Sequence, residues 1–131
     1  MQGKVGSLWL DGASDFHLEQ SSALRGLKAL NINYMRRITD AGLENLTRFE
    51  GLERLSLRNG RQITDAGLKH VGKLAKLRKL NLWYCRNITD NGADHLKGLA
   101  SLQELELRGT KVSDEGVKRL QQALPHCKIE H

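Results

Sequence analysis

The sequence predicts a right-handed α/β solenoid of about five 25-residue strand–helix units, with a parallel sheet on its concave face. Three observations carry this. Apolar residues recur every 25 positions: Leu27, Leu52, Leu77 and Leu102; Leu30, Leu55, Leu80 and Leu105; Ile32, Leu57, Leu82 and Leu107. Inside each unit the period changes, from the alternation of a strand to the spacing of a helix face, as at Leu43, Leu46 and Phe49. The 131 residues are 39% hydrophobic and 27% charged, the size and balance of one folded domain.

The units divide residues 1–131, a single domain, as follows. Residues 1–25 are a degenerate first unit, with Leu8-Trp9-Leu10 as its strand and Ser14-Asp15 at its helix start; His17 stands where later units have glycine. Units 26–50, 51–75, 76–100 and 101–124 share a fourth apolar column of Ile38, Ile63, Ile88 and Val112. Thr39-Asp40, Thr64-Asp65, Thr89-Asp90 and Ser113-Asp114 come next. The hydroxyl suits the free N–H groups of a helix start, and the carboxylate suits its positive end. Gly42, Gly67, Gly92 and Gly116 sit in the first helical turn, where glycine costs about 1 kcal/mol of propensity; its repetition predicts a contact too tight for a Cβ. Leu124-Pro125 ends the last helix, and 125–131 form a cap in which Cys127-Lys128-Ile129 begins a sixth strand that does not complete. A lone unit has too little core, and stacking makes a continuous one.

Several classes are excluded. No apolar run reaches the ~20 residues of a membrane span. The first ten residues are too short and mixed for a signal peptide. Two cysteines, Cys85 and Cys127, make neither a disulfide framework nor a zinc cluster; free thiols in an intracellular, cytoplasmic setting are expected, Cys85 in the turn core and Cys127 partly exposed. There is no phosphate-binding glycine loop and no nucleophile elbow, so no enzyme activity, catalytic residue or cofactor is expected. His70 and His95 share a helix column beside Asp94, but two histidines without a third ligand are read as solvated and not as a metal site.

The run Leu77-x-x-Leu80-x-Leu82-x-x-Cys85-x-x-Ile88-Thr89-Asp90 resembles the cysteine-containing subclass of leucine-rich repeats. That subclass occurs in the substrate-recognition domains of F-box proteins and in similar bacterial repeats. The resemblance covers nearly the whole chain, although the cysteine column reads Met35, Gly60, Cys85, Thr110. Nothing N-terminal resembles an F-box. The resemblance implies a non-catalytic recognition module. A substrate-recognition or adaptor subunit of a larger assembly, such as a ubiquitin ligase, is the alternative.

Residues between the strand leucines point out from the concave face. Trp9 and Trp83 fall within predicted strands and Tyr34 and Tyr84 at strand ends, with Arg58 and Arg108 flanking Trp83 in its column. Trp, Tyr and Arg are the residues enriched at binding hot spots, so these six are the expected partner-binding set. The competing reading is that the aromatics merely cover strand backbone. Lys28, Arg54, Arg78 and Lys79 add charge to this face, offset by Asp11, Glu53, Glu104 and Glu106.

The net charge is +6, and part of it is a second column, Arg36, Arg61, Arg86 and Lys111, in the turn from strand to helix. Like charges so close need an answer. Either the Asp column (Asp40, Asp65, Asp90, Asp114) pairs with them within each unit, or an acidic protein partner does. Nucleic acid or another polyanion is a less favoured ligand for this rim, since no nucleic-acid motif accompanies it. On the helix side Glu44, Lys69, Asp94 and Lys118 alternate in sign and read as surface pairs. The sheet edges leave self-association through the solenoid ends open.

Overall fold

The computed structural model describes residues 6–11, 26–33 and 37–131. Among these residues, six strands form one open sheet in chain order. They are β1 (Ser7–Asp11), β2 (Ala29–Asn33), β3 (Arg54–Ser56), β4 (Lys79–Asn81), β5 (Glu104–Glu106) and β6 (Lys128–Glu130). All pairings are parallel, and repeat-equivalent residues stand side by side: Leu8, Leu30, Leu55, Leu80, Leu105 and Ile129 form one row. Parallel neighbours need a crossover. Short helices serve in the last four: α1 (Asp40–Leu43), continued by a 3-10 helix over Glu44–Arg48, then α2 (Asp65–Val71), α3 (Asp90–Asp94) and α4 (Asp114–Ala123). The expected α/β solenoid is thus present. The first unit's expected helix start at Ser14-Asp15 lies outside the described residues, as do Tyr34 and Arg36.

The leucine columns meet between sheet and helices. Leu52, Leu57, Ile63, Leu68 and Val71 have no exposed surface, and their equivalents Leu77, Leu82, Ile88 and Leu96 repeat this one layer on. Each such side chain contributes roughly 1.5–3 kcal/mol relative to exposure. Cys85 belongs to this core as expected: it is fully buried, and its thiol donates to the Leu57 carbonyl at 2.9 Å. Burial pushes its pKa up to about 11. Cys127 departs from expectation, being 4% exposed. The reason is that the last strand does complete. β6 pairs with β5, and Gln121 Nε2 donates to the carbonyls of Leu124 (2.9 Å) and Cys127 (2.8 Å), tying α4 to the chain that enters β6.

Strands β3 to β5 are only three residues long, shorter than the leucine pattern suggests. A left-handed residue ends each extended run: Asn59 (φ 61°), Tyr84 (φ 58°) and Gly109 (φ 83°) occupy equivalent positions. Trp83 therefore lies beyond β4 and not within it. The ladder still reaches that far, because Asn59 N–H donates to Trp83 O at 2.8 Å and Tyr84 N–H to Arg108 O at 2.9 Å.

The Thr/Ser-Asp pairs join neighbouring repeats. Asp40 accepts from the Thr64 backbone N–H (2.7 Å) and hydroxyl (2.5 Å). Asp65 does the same for Thr89 (2.7 and 2.5 Å), and Asp90 for Ser113 (2.7 and 2.6 Å). A Cβ at Gly67, Gly92 or Gly116 would fall on the carboxylate of Asp40, Asp65 or Asp90 respectively, which is the tight contact the glycine column predicts. Side-chain capping is less general than the sequence suggests: Thr64 and Ser113 cap their helices, whereas Thr89 makes no such bond.

Candidate partner-binding face

Alternate strand residues point away from the leucine core and line a cleft of about 450 Å³ on the sheet face. Across its floor run Asn31, Ser56 and Asn81, held side by side by strand register. Trp9 stands at one end, 68% exposed. Glu104, Glu106, Lys128 and Glu130 close the other. Most charges here are matched: Lys79 with Glu104 at 2.9 Å, Lys128 with Glu130 at 3.5 Å, and Glu53 with Lys28 (3.8 Å) and Arg78 (3.9 Å). The Lys79 ammonium holds the Glu104 carboxyl below its ordinary range.

Beside the cleft, four side chains stack in sequence. The Arg58 guanidinium lies 4.8 Å from the Trp83 ring centre, the Trp83 and Tyr84 rings meet edge-on at 4.2 Å and 72°, and the Arg86 guanidinium lies 5.4 Å from the Tyr84 ring. Each cation–ring contact at an exposed site is worth about 0.5–1 kcal/mol, enough to fix orientation. Tyr84 is held in a backbone region that bulky residues rarely adopt, at a cost on the order of 1–2 kcal/mol. Its ring packs over Gly109, where a Cβ would come within 2.9 Å of Tyr84 Cα and Cγ.

Arg108 does not join this stack. Its Nε and Nη2 grip the Glu106 carboxylate at 2.9 and 2.7 Å, and its backbone N–H donates to the same group at 2.8 Å. These bonds hold the Glu106 carboxyl below its ordinary range. Of the six residues the sequence singles out, three come together (Arg58, Trp83, Tyr84). Trp9 lines the cleft apart from them, Arg108 is committed to Glu106, and Tyr34 lies outside the described residues. Column reading missed two things: that Arg86 stacks on Tyr84, and that Ser56 and the two asparagines line the cleft beside Arg54, which it placed on this face. Strand alternation around Leu55 held the signal for Ser56.

On the rim, the turns bearing Arg61 and Arg86 lie side by side. Asn87 Nδ2 donates to Arg61 O at 2.6 Å, and Thr64 and Asn87 form a parallel bridge. The expected pairing of this column with the Asp column does not occur for Arg61, Arg86 or Lys111. Among the described residues no carboxylate forms an ion pair with them. The physical reason is geometric: Asp40, Asp65 and Asp90 turn toward the hydroxyl and N–H of the next repeat. The helix side also differs from expectation. Asp94 pairs with Lys97 (3.1 Å) and Arg119 (3.9 Å), not with Lys69 or Lys118. Among the described residues no three His, Cys, Asp or Glu side chains gather as a metal site would require.

Sheet order, crossover helices and leucine rows define an α/β leucine-rich-repeat solenoid. Residues 73–96 and 98–120 match the family described as Leucine Rich repeat. Two solved structures share the fold. An LRR protein of Leptospira interrogans is 24% identical, over 87% of this chain and 27% of its own, with a TM-score of 0.61. An internalin of Listeria monocytogenes is 20% identical, over 83% of this chain and 36% of its own, with a TM-score of 0.53. The chain thus spans about a third or less of these proteins. No match is found among curated protein sequences. Leucine-rich repeats generally serve as protein-interaction modules and are typically non-catalytic. Among the described residues no helix is long and apolar enough to cross a membrane.

Proposed function

We propose that the chain binds a protein partner on the sheet face and adjoining rim, through Arg58, Trp83, Tyr84 and Arg86. One observation carries this: the four side chains form a continuous surface stack, with Trp83 half-buried at its centre, whose two arginines form no ion pair among the described residues. Aromatics and arginines held rigidly in this way lose little conformational freedom on binding. The partner is acidic where it meets Arg86, Arg61 and Lys111, because those charges lack an internal counterpart. Capture of partners by the immobilised protein tests the reading. Trp83→Ala/Tyr84→Ala should lose the captured partner, and Arg61→Glu/Arg86→Glu should weaken it at least tenfold. Undiminished capture by both would overturn the proposal. Capture only of nucleic acid, falling steeply with salt, would support the polyanion reading instead.

The finer family placement rests on Cys85, which fills the turn core in the way a cysteine column requires. Membership of the cysteine-containing subclass fits an adaptor or substrate-recognition role in a larger intracellular assembly, and the two free thiols are in keeping with a reducing compartment.

A further inference from the structure

The cleft floor holds an arrangement that shares only Arg58 with the stack. Arg54, Ser56 and Arg58 follow one another on the outward face of β3 and the residues just after it, so two cations flank one hydroxyl along the strand. Register places Asn31 on one side of Ser56 and Asn81 on the other. Asn81 Oδ1 accepts from the Trp83 backbone N–H at 3.0 Å. That bond occupies one lone pair of the oxygen and fixes the amide's orientation, with its N–H groups left as donors. Neither Arg54 nor Arg58 has an ion-pair partner among the described residues, while Lys79, Lys128 and Arg108 around them are all matched. Arg58 is held against the Trp83 ring at 4.8 Å, a contact that uses none of its N–H donors in an ion pair among the described residues.

A row of two unmatched guanidinium groups and a hydroxyl, with asparagine amides on either side of the hydroxyl, suits an anion with several acceptor lone pairs. The nearby carboxylates of Glu104 and Glu106 are already engaged by Lys79 and Arg108. Resting on the protein-binding reading, we propose that Arg54, Ser56 and Arg58, with Asn31 and Asn81, receive the side-chain carboxylate of an Asp or Glu in an extended partner segment. The segment runs across the strands, and an apolar residue further along it packs on Trp9. Strands lie about 4.8 Å apart, so β1 and β3 are separated by roughly 10 Å, which an extended chain covers in about three residues. The recognised element is therefore an acidic residue about three positions from an aromatic or aliphatic one.

Selection of phage-displayed random heptapeptides on the immobilised protein tests this, followed by fluorescence anisotropy with the enriched peptides. Enriched sequences should pair Asp or Glu with an aromatic or aliphatic residue three positions away. Converting the acid to its amide should weaken binding at least tenfold. Ser56→Asp, which places a carboxylate between the two arginines, should weaken it at least tenfold with an unchanged urea midpoint, and Trp9→Ala several-fold. Arg54→Gln gives an independent variant with the expected loss near tenfold. Peptides without an acidic residue, no enrichment, or full binding by both Ser56→Asp and Arg54→Gln would overturn the receptor. If those results come while partner capture still depends on Trp83 and Tyr84, the receptor alone fails. If capture is also indifferent to Trp83 and Tyr84, the broader reading fails with it.

Discussion

Two rows of the same solenoid handle polar groups in opposite ways. At the helix starts, the Asp, Thr/Ser and Gly columns are chemically uniform, and the carboxylates of Asp40, Asp65 and Asp90 are satisfied by the next repeat. On the sheet face the equivalent columns change identity from repeat to repeat: Ser56, Asn81, Glu106 in one, Arg58, Trp83, Arg108 in the next. There, Arg54 and Arg58 lack ion-pair partners among the described residues, as do Arg61 and Arg86 on the adjoining rim. A column that must fit its own copy in the neighbouring repeat is held to one chemistry. A column that faces outward is free to differ. Substitutions in the first row should therefore move stability, and substitutions in the second should move binding.

The largest effect is expected at Gly92→Ala. The added Cβ would overlap the Asp65 carboxylate and crowd Ile88 Cγ2 at 3.2 Å. Overpacking of this kind costs about 1–3 kcal/mol, and the displaced carboxylate loses hydrogen bonds worth about as much again. The gain in helix propensity offsets about 1 kcal/mol. A net loss of about 2–3 kcal/mol by urea denaturation, with partner capture unchanged at low denaturant, would uphold the division. A neutral Gly92→Ala would break it.

Next is the acid branch. Hydrogen bonds from the Ser113 hydroxyl and N–H hold the Asp90 carboxyl below its ordinary value of 3.8. A group with a depressed folded pKa stabilises the fold above its unfolded value and ceases to do so as pH falls through the folded one. The urea midpoint should thus be flat near neutrality and fall below about pH 4, with Glu104 and Glu106 acting in the same direction. Asp90→Asn should lower the midpoint at pH 7 by about 1–2 kcal/mol equivalent and flatten the acid decline. An unaltered pH profile would mean that the carboxylate is not the staple between these repeats.

Gly109→Ala tests the boundary between the rows. Its φ of 83° and the Tyr84 ring above it both oppose a Cβ. About 1–2 kcal/mol of stability should be lost, and Tyr84 should be displaced from Trp83 and Arg86. Stability and partner binding should fall together here, unlike at Gly92.

The contrast also explains how much was legible in the sequence. Columns 25 residues apart revealed the sheet order, the leucine core, Cys85 in the turn and the tight glycine contact, because register in the parallel sheet sets equivalent residues side by side. The Asp contacts were not legible, since Asp40 reaches Thr64 and Asp65 reaches Thr89, a diagonal of 24. Column reading compares like with like and passes over diagonals. It also assigned Arg108 to the aromatic set because it shares a column with Trp83, although its nearest acid, Glu106, stands two residues away on the same strand face. Strand ends were lost for a related reason: a left-handed Tyr84 has no signature beyond the asparagine and glycine at equivalent positions.

Arg108 gives the smallest and most discriminating effect. The pair with Glu106 is largely exposed on the arginine side, so Arg108→Ala should leave the urea midpoint nearly unchanged. Its influence on binding should be larger and indirect. Once Glu106 is freed, Arg58 is a nearby cation that already feels its charge. Drawn toward Glu106, Arg58 becomes less available to an acidic partner, and affinity should drop several-fold. Adding Glu106→Gln removes the competing carboxylate. The double variant Arg108→Ala/Glu106→Gln should recover affinity close to wild type, a coupling that a double-mutant cycle measures. If Arg108 instead touches the partner, the second substitution restores nothing, and Arg108 returns to the binding set that its column suggested.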